Sequence, residues 1–282
     1  MAADVGRALV LGGGGVAGVA WEAGMLAGLR DAGVDLSTAD LIVGTSAGSI
    51  VGSFVGHDVD PAAAIDRIAA DAEADPAPPA EVDMDAVMTA FGILFDPNLD
   101  PQEGRRQVGQ LALQAPVDSA GSRLEEIAHR LPSAAWPALR LLVTAVDTED
   151  GAFKVWDRDS GVPLPTAVIS SCAVPLVFPP IEINGRRYMD GGTRSVTNAD
   201  LARGASAVVI LEPLAHLSPR TALERELREL EPAPVAAIGP DEESINVFGM
   251  NVLDQTLWRP AFKAGLAQAT QAAAQVRAVW NS

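Results

Sequence analysis

Residues Gly44-Thr45-Ser46-Ala47-Gly48 place a hydroxyl between two glycines, after an apolar run at residues 41–43 and before a helix-compatible stretch from Ala47 to about His57. A serine on a sharp strand-to-helix turn exposes its Oγ for attack on an acyl carbon, and small neighbours let backbone and helix close around it. The hydroxyl then lies at a helix N-terminus, where the macrodipole and free amides favour a developing oxyanion. The chain has 26 glycines, so the bare Gly-x-Ser-x-Gly spacing can also arise by chance; the strand before it and the helix after it carry the signal.

A second glycine run spans Gly12 to Gly18 and contains Gly13-x-Gly15-x-x-Gly18, again after a strand and before a helix. That spacing formally matches a dinucleotide-binding loop, which also needs an acid about 20 positions on, at the end of the second strand. Here that strand ends in Gly44-Thr45, and Asp31 and Asp35 fall before it. The same glycines offer bare amides for an acyl oxyanion. The plain alternative is a turn that only permits close packing.

A serine nucleophile needs a base. Of the three histidines, His57 closes the helix after Ser46 and suits a C-terminal cap, and His129 lies on a charged amphipathic helix. His216 follows the strand at residues 207–211 and is the remaining triad candidate. Asp190 ends a strand, is followed by Gly191 and Gly192, and comes after a proline-rich turn. Burial raises a carboxylate's proton affinity, so an aspartate there can take the Ser46 proton directly. Its alternative role is an ordinary Asp-Gly turn.

These groups sit on a framework of strand–turn–helix units, which predicts an α/β fold with a mainly parallel sheet. Strands are expected at residues 8–11, 41–43, 139–146, 153–156, 207–211 and 235–238, with a hairpin at 181–183 and 187–189 turning on Asn184-Gly185. Helices are expected at 16–30, 47–57, 164–171 and 252–280, with a solvated one at 224–231. From residue 58 to 137 prolines punctuate short helical patterns such as 84–95 and 104–115, which reads as a helical insertion or lid. Within it Met84, Val87, Met88, Phe91, Ile93, Leu94 and Phe95 form an apolar stripe, expected to pack in the core, with lid or acyl-chain contact as the alternative. The expectation for residues 1–282 is one domain.

Composition narrows the partners. With 48% hydrophobic residues the chain can build a layered core, and Cys172 is alone, so no intrachain disulfide forms. A net charge of −17 argues against nucleic acid and against a polybasic membrane clamp. The first residues show no secretory leader and no run of about 18 apolar residues spans a bilayer, so a cytoplasmic protein is expected.

Three motifs in order, Gly12-Gly13-Gly14-Gly15-Val16-Ala17-Gly18, Gly44-Thr45-Ser46-Ala47-Gly48 and Asp190-Gly191-Gly192, resemble the patatin-like phospholipases, bacterial type. So do residues 171–180 before the aspartate and 21–26 after the glycine loop. The resemblance implies a three-layer α/β fold, helices on both sheet faces, and a Ser–Asp dyad working without histidine, metal or cofactor. Ser46 would be the nucleophile, Asp190 the proton acceptor, and the amides of Gly13, Gly14 and Gly15 the oxyanion hole, with Gly18, Gly44, Gly48, Gly191 and Gly192 in support. The substrate would be a lipid or lipid-like ester, cleaved through an acyl-enzyme. The family usually carries Arg or Lys before the last glycine of the loop, where this chain has Ala17. That departure supports the alternative, a catalytically silent relative that binds lipid or a partner protein.

For a lipid hydrolase of this charge, transient membrane contact rests on apolar surface. Binding to phosphatidylglycerol vesicles is expected to be weak and nearly independent of salt; strong binding that falls steeply with added salt would overturn this.

Overall fold

The computed structural model describes residues 6–74, 83–117 and 121–281. In chain order the first elements are β1 (Arg7–Leu11), α1 (Gly15–Asp31), β2 (Leu41–Gly44), α2 (Ala47–Gly56), α3 (Pro61–Ala74), α4 (Met84–Leu94), α5 (Pro101–Gln114) and α6 (Gly121–Arg130). Then come β3 (Arg140–Asp147), β4 (Phe153–Trp156), α7 (Leu164–Ser171), β5 (Ile181–Ile183), β6 (Arg186–Asp190) and β7 (Ala207–Leu211). The chain closes with α8 (Arg220–Leu230), β8 (Val235–Ile238), α9 (Glu242–Phe248) and α10 (Trp258–Trp280).

The sheet order is β5-β6-β3-β2-β1-β7-β8, with β4 added to β3. β3, β2, β1, β7 and β8 are mutually parallel, while β4 and β6 run antiparallel to β3 and β5 antiparallel to β6. Both sheet faces are covered. Leu9, Leu11, Ile42, Val143 and Val209 share one core with α1, α2 and α10. Ala8, Val10, Val43, Val208 and Ile210 share another with α8 and a 3-10 turn at Ala199–Ala202. This is why the strands read as unbroken apolar runs: each alternate side chain has a core of its own. α1, an Ala- and Gly-rich helix, lies almost wholly buried between α2, α3 and α10.

The residue 58–137 region is helical where described, as expected, although residues 75–82 and 118–120 lie outside the described residues. α5 begins at Pro101, earlier than residue 104, because Asp100 caps it by accepting from the Gln102 and Glu103 amides (both 3.0 Å) with proline at the first position. Three expectations are corrected. The closing helix starts at Trp258, not 252, because the Asn251 and Asp254 side chains capture the Leu253 and Thr256 amides in tight turns. α8 is not simply solvated: Leu223, Glu226 and Leu230 are buried. Nor is the α4 stripe core throughout: Val87 and Ala90 are buried, but Met88, Phe91 and Phe95 are exposed, the two rings stacked 5.7 Å apart. The Met84 side chain lies outside the described residues. Among the described residues no helix is long and apolar enough to cross a membrane.

α2 runs directly under the sheet, and Gly48 is what lets it. A Cβ at Gly48 would overlap the Leu11 carbonyl oxygen, which is backbone and cannot move aside. Gly92 in α4 has open space around it. Gly48→Ala is expected to destabilise the protein by about 3 kcal/mol or more and Gly92→Ala to stabilise it by about 0.5–1 kcal/mol, read from urea denaturation midpoints. Equal effects at the two sites would contradict the packing described.

Candidate active site

Ser46 sits between β2 and α2 with φ 51° and ψ −116°, a left-handed backbone that costs a non-glycine residue about 1–3 kcal/mol. The surroundings hold it there. The Thr45 amide donates to the Leu11 carbonyl (3.0 Å) and the Gly48 amide to the Gly12 carbonyl (3.0 Å), which ties the serine turn to the glycine loop. The Ser46 amide donates to Ser171 Oγ (2.8 Å) at the end of α7, and Ser49 Oγ donates back to the Ser46 carbonyl (2.6 Å). Ser171 was not singled out by sequence reasoning; its only signal is its place just before the proline-rich turn.

Asp190 ends β6. Its amide donates to the Ala173 carbonyl (2.9 Å), and its carboxylate accepts the Gly192 amide (2.7 Å), starting a 3-10 turn at Gly191–Thr193. The side chain is buried. Burial pushes its pKa from 3.8 up to about 6, while a hydrogen bond from Ser46 and the Gly192 amide pull it back. The structure therefore brings Ser46 and Asp190 together. Cys172 sits beside them, its thiol pushed well up by burial and then by the Asp190 charge.

A buried amide joins the two loops. Asn198, itself at φ 50°, donates through Nδ2 to Thr45 Oγ1 (3.0 Å), the Ser195 carbonyl (2.7 Å) and the Gly191 carbonyl (3.3 Å). Its Oδ1 accepts from Arg194 (2.8 Å), which Asp200 holds bidentately at 2.9 and 2.7 Å. Thr144 of β3 adds a hydroxyl contact to Thr45 (2.9 Å). Asn198 was missed because it lies in a stretch with neither strand nor helix periodicity. Only the fold reveals that it spans the gap between elements 153 residues apart.

The glycine loop faces Ser46: a Cβ on Gly13 would lie 3.6 Å from the Ser46 Cβ. The Gly12 amide donates to the Leu211 carbonyl (3.0 Å) and the Gly13 amide to the Val196 carbonyl (2.8 Å). Of the three amides expected at an oxyanion hole, that of Gly13 thus has a backbone partner, while those of Gly14 and Gly15 have none among the described residues. Gly15 has φ +58°, and a Cβ there would collide with the Leu253 side chain and the Val252 carbonyl, so the position is restricted to glycine. Ala17 is fully buried and its amide donates to the Val252 carbonyl (3.0 Å), so backbone bonds anchor the loop where a basic side chain is expected from resemblance. Pro213 covers the outer face of Gly14 and Gly18, the side a dinucleotide pyrophosphate would need. Beneath the loop, Glu22 of α1 is wholly buried and neither oxygen has a well-formed partner; burial holds its pKa well above the carboxylate range, with the Gly12 amide opposing.

Ser46 opens into a narrow cleft of about 80 Å³, walled mainly by apolar side chains such as Val16, Ile50, Ile68, Phe178 and Trp258. Such a lining suits an acyl chain rather than a polar ligand. None of the histidines contacts Ser46 or Asp190. His57 caps α2 with its ring nitrogens against the Ser53 (2.9 Å) and Ala135 (3.1 Å) carbonyls, His129 is exposed, and His216 lies against Phe248. Among the described residues no group of three or more His, Cys, Asp or Glu is placed to hold a metal ion.

The model of the family described as patatin-like phospholipase matches residues 9–203. No curated protein matches the chain. Among solved structures, VipD from Legionella pneumophila aligns at 14% identity and a TM-score of 0.45, over 96% of this chain and 66% of VipD. The type III effector ExoU aligns at 16% identity and 0.33, over 94% and 53%. ExoU in its complex with SpcU, from Pseudomonas aeruginosa, aligns at 15% and 0.31, over 95% and 53%. The chain thus spans about two thirds of VipD and about half of ExoU.

Asp190 carries a stability consequence. Because its pKa is raised, the folded state holds the proton more tightly than the unfolded state. That contribution is complete below about pH 3.8 and is lost as pH rises through about 6, up to about 3 kcal/mol. Asp190→Asn is therefore expected to be more stable than wild type above neutral pH, the difference closing below about pH 4, in urea titrations across pH. A pH-independent difference would remove the buried-carboxylate account.

Proposed function

Because the family model covers residues 9–203, this chain belongs to the patatin-like phospholipases, and on that premise we propose that it is a serine acyl-ester hydrolase of lipid or lipid-like esters, its 1–282 chain acting as one hydrolase domain. In this reading Ser46 Oγ attacks the ester carbonyl as Asp190 takes the hydroxyl proton. The carbonyl oxygen becomes an oxyanion, met by the Gly14 and Gly15 amides at the start of α1. The intermediate collapses, the C–O bond to the alcohol breaks, and Asp190 returns the proton to the leaving oxygen. Water then attacks the acyl-enzyme as Asp190 again accepts the proton, the bond from the acyl carbon to Ser46 Oγ breaks, Asp190 returns the proton to that oxygen, and the fatty acid leaves.

The observation that carries the reading is the contact between Ser46 and a buried Asp190 whose pKa of about 6 lets it accept a proton near neutrality. Among the described residues no cation pairs with Asp190, and a paired cation would lower its basicity. The amides of Gly14 and Gly15 supply the donors, and an uncapped α1 N-terminus, with no acid in its first turn, adds its dipole. The apolar cleft beside Ser46 takes the acyl chain. Phe91, Phe95 and Met88 on α4 supply apolar surface for transient contact with lipid.

Ser46→Ala and Asp190→Asn are each expected to lower kcat by about 1,000-fold or more on a soluble fluorogenic ester, and to do so without unfolding the protein. The wild-type kcat/KM should fall about tenfold per pH unit below about 6, as protonation removes the base. A fluorophosphonate probe should label the wild type and not Ser46→Ala. Absence of labelling on the folded wild type sinks the hydrolase reading and favours a silent lipid- or partner-binding relative.

A further inference from the structure

The cleft that holds Ser46 is apolar except at one wall. There α6, packed on the α7 that ends in Ser171, contributes Glu126, Ile127 and Arg130, the two charged groups among the residues lining the cleft. Arg130 is about three-quarters buried, with 23% of its side chain exposed. Its one ionic contact is Glu126 Oε2 at 3.7 Å, beyond hydrogen-bonding range, and among the described residues it has no hydrogen bond.

Three other arginines close on carboxylates within hydrogen-bonding distance, one of them as shielded as Arg130 and two more exposed. Arg194, similarly buried, is held by Asp200 through two bonds of 2.9 and 2.7 Å. Arg220 reaches Glu212 at 2.5 Å, and Arg186 closes on Asp147 and Asp150. With 37 acidic residues available, a half-desolvated guanidinium left without a close carboxylate leaves its fork of donors unfilled. Helix-dipole compensation at the end of α6 accounts for a basic residue there, and neighbouring His129 does the same from the exposed face. It does not account for a side chain turned into the cleft.

We propose that Arg130 is the specificity residue of this cleft, receiving an anionic group that the ester substrate carries beyond its scissile carbonyl, either a headgroup phosphate or a free carboxylate. The inference rests on the hydrolase reading. In it the acyl chain lies along Val16, Ile50, Ile68 and Trp258, the carbonyl meets Ser46, and the alcohol side extends to α6. Glu126, half exposed, is the group that the substrate anion displaces from Arg130. A charge-assisted contact at a partly desolvated arginine selects one substrate at close range, even though the whole chain repels anionic surfaces at long range.

The test uses decanoyl esters of glycerol, glycerol phosphate and glycerate, each below its critical micelle concentration, with wild type, Arg130→Gln, Arg130→Lys and Glu126→Gln. Arg130→Gln should raise KM for the phosphate ester, the carboxylate ester or both by about tenfold, leaving kcat and the neutral glycerol ester unchanged. Arg130→Lys should recover part of the loss, and Glu126→Gln should lower KM for the same anionic ester. Which anionic ester responds tells headgroup phosphate from free carboxylate. If wild type cleaves the esters and Arg130→Gln affects all three alike or none, the inference is wrong while the hydrolase reading stands. If Arg130→Gln does not fold, Glu126→Gln decides: no KM shift on either anionic ester overturns the proposal. If wild type cleaves none of the three and resists the fluorophosphonate probe, the hydrolase reading itself has failed.

Discussion

The Ser46 backbone, at φ 51° and ψ −116°, is kept in place by partners from three segments: Leu11 and Gly12 where β1 meets the glycine loop, Ser171 of α7, and Asn198 acting through Thr45. A strained residue persists only where its surroundings over-determine it. Here the over-determination also sets the site. The same backbone bonds that restrain the serine tie its turn to the glycine loop, and Asn198 connects the serine turn to the aspartate turn. Loosening any one of these ties would misplace two or three chemical groups together.

Asp190 shows the opposing requirement. Three other shielded carboxylates are neutralised by arginine, Asp147 by Arg186, Asp200 by Arg194 and Glu212 by Arg220. Asp190 receives an amide and a hydroxyl instead, donors that orient it without supplying a full positive charge. A paired cation would stabilise the fold and depress the pKa, giving a firmer structure and a poorer base. The site keeps the less stable arrangement, as functional sites often do.

The layers around the sheet divide the work. α1, α2 and α10 form a small-residue core against which the serine turn and glycine loop are fixed, and the 252–257 segment ahead of α10 anchors the loop through the Val252 carbonyl. The 58–137 region contributes the outer wall: Ile68 from α3 and Ile127 and Arg130 from α6 complete the cleft that the sheet opens. The sheet and the helices packed on it position Ser46 and Asp190, and the 58–137 region lines the cleft beside Ser46.

Ser46, Asp190 and the glycine run were legible in the sequence because each sits in a short motif whose local geometry follows from its own residues: a strand end, a glycine that admits close approach, a helix start. The parallel sheet was legible for the same reason, since strands buried on both faces must be apolar at every position. Position 252 misread as helix because composition does not show side chains capturing amides, and α8 misread as solvated because Glu226 finds its partners in Thr197 and Ala199 only once the chain has folded. Asn198 and Arg130 carry no local signature, and Ser171 has only its place just before the proline-rich turn. Their roles depend on contacts between residues far apart in the chain, and the engagement of the Gly13 amide by Val196 is of the same kind. Sequence alone thus determined which groups could react and on what elements they stand. Tertiary structure decided which loop amides have backbone partners, what holds the serine against its own backbone preference, and that Arg130, without a hydrogen bond among the described residues, faces the cleft, because each of these is settled by long-range hydrogen bonds and burial rather than by neighbours along the chain.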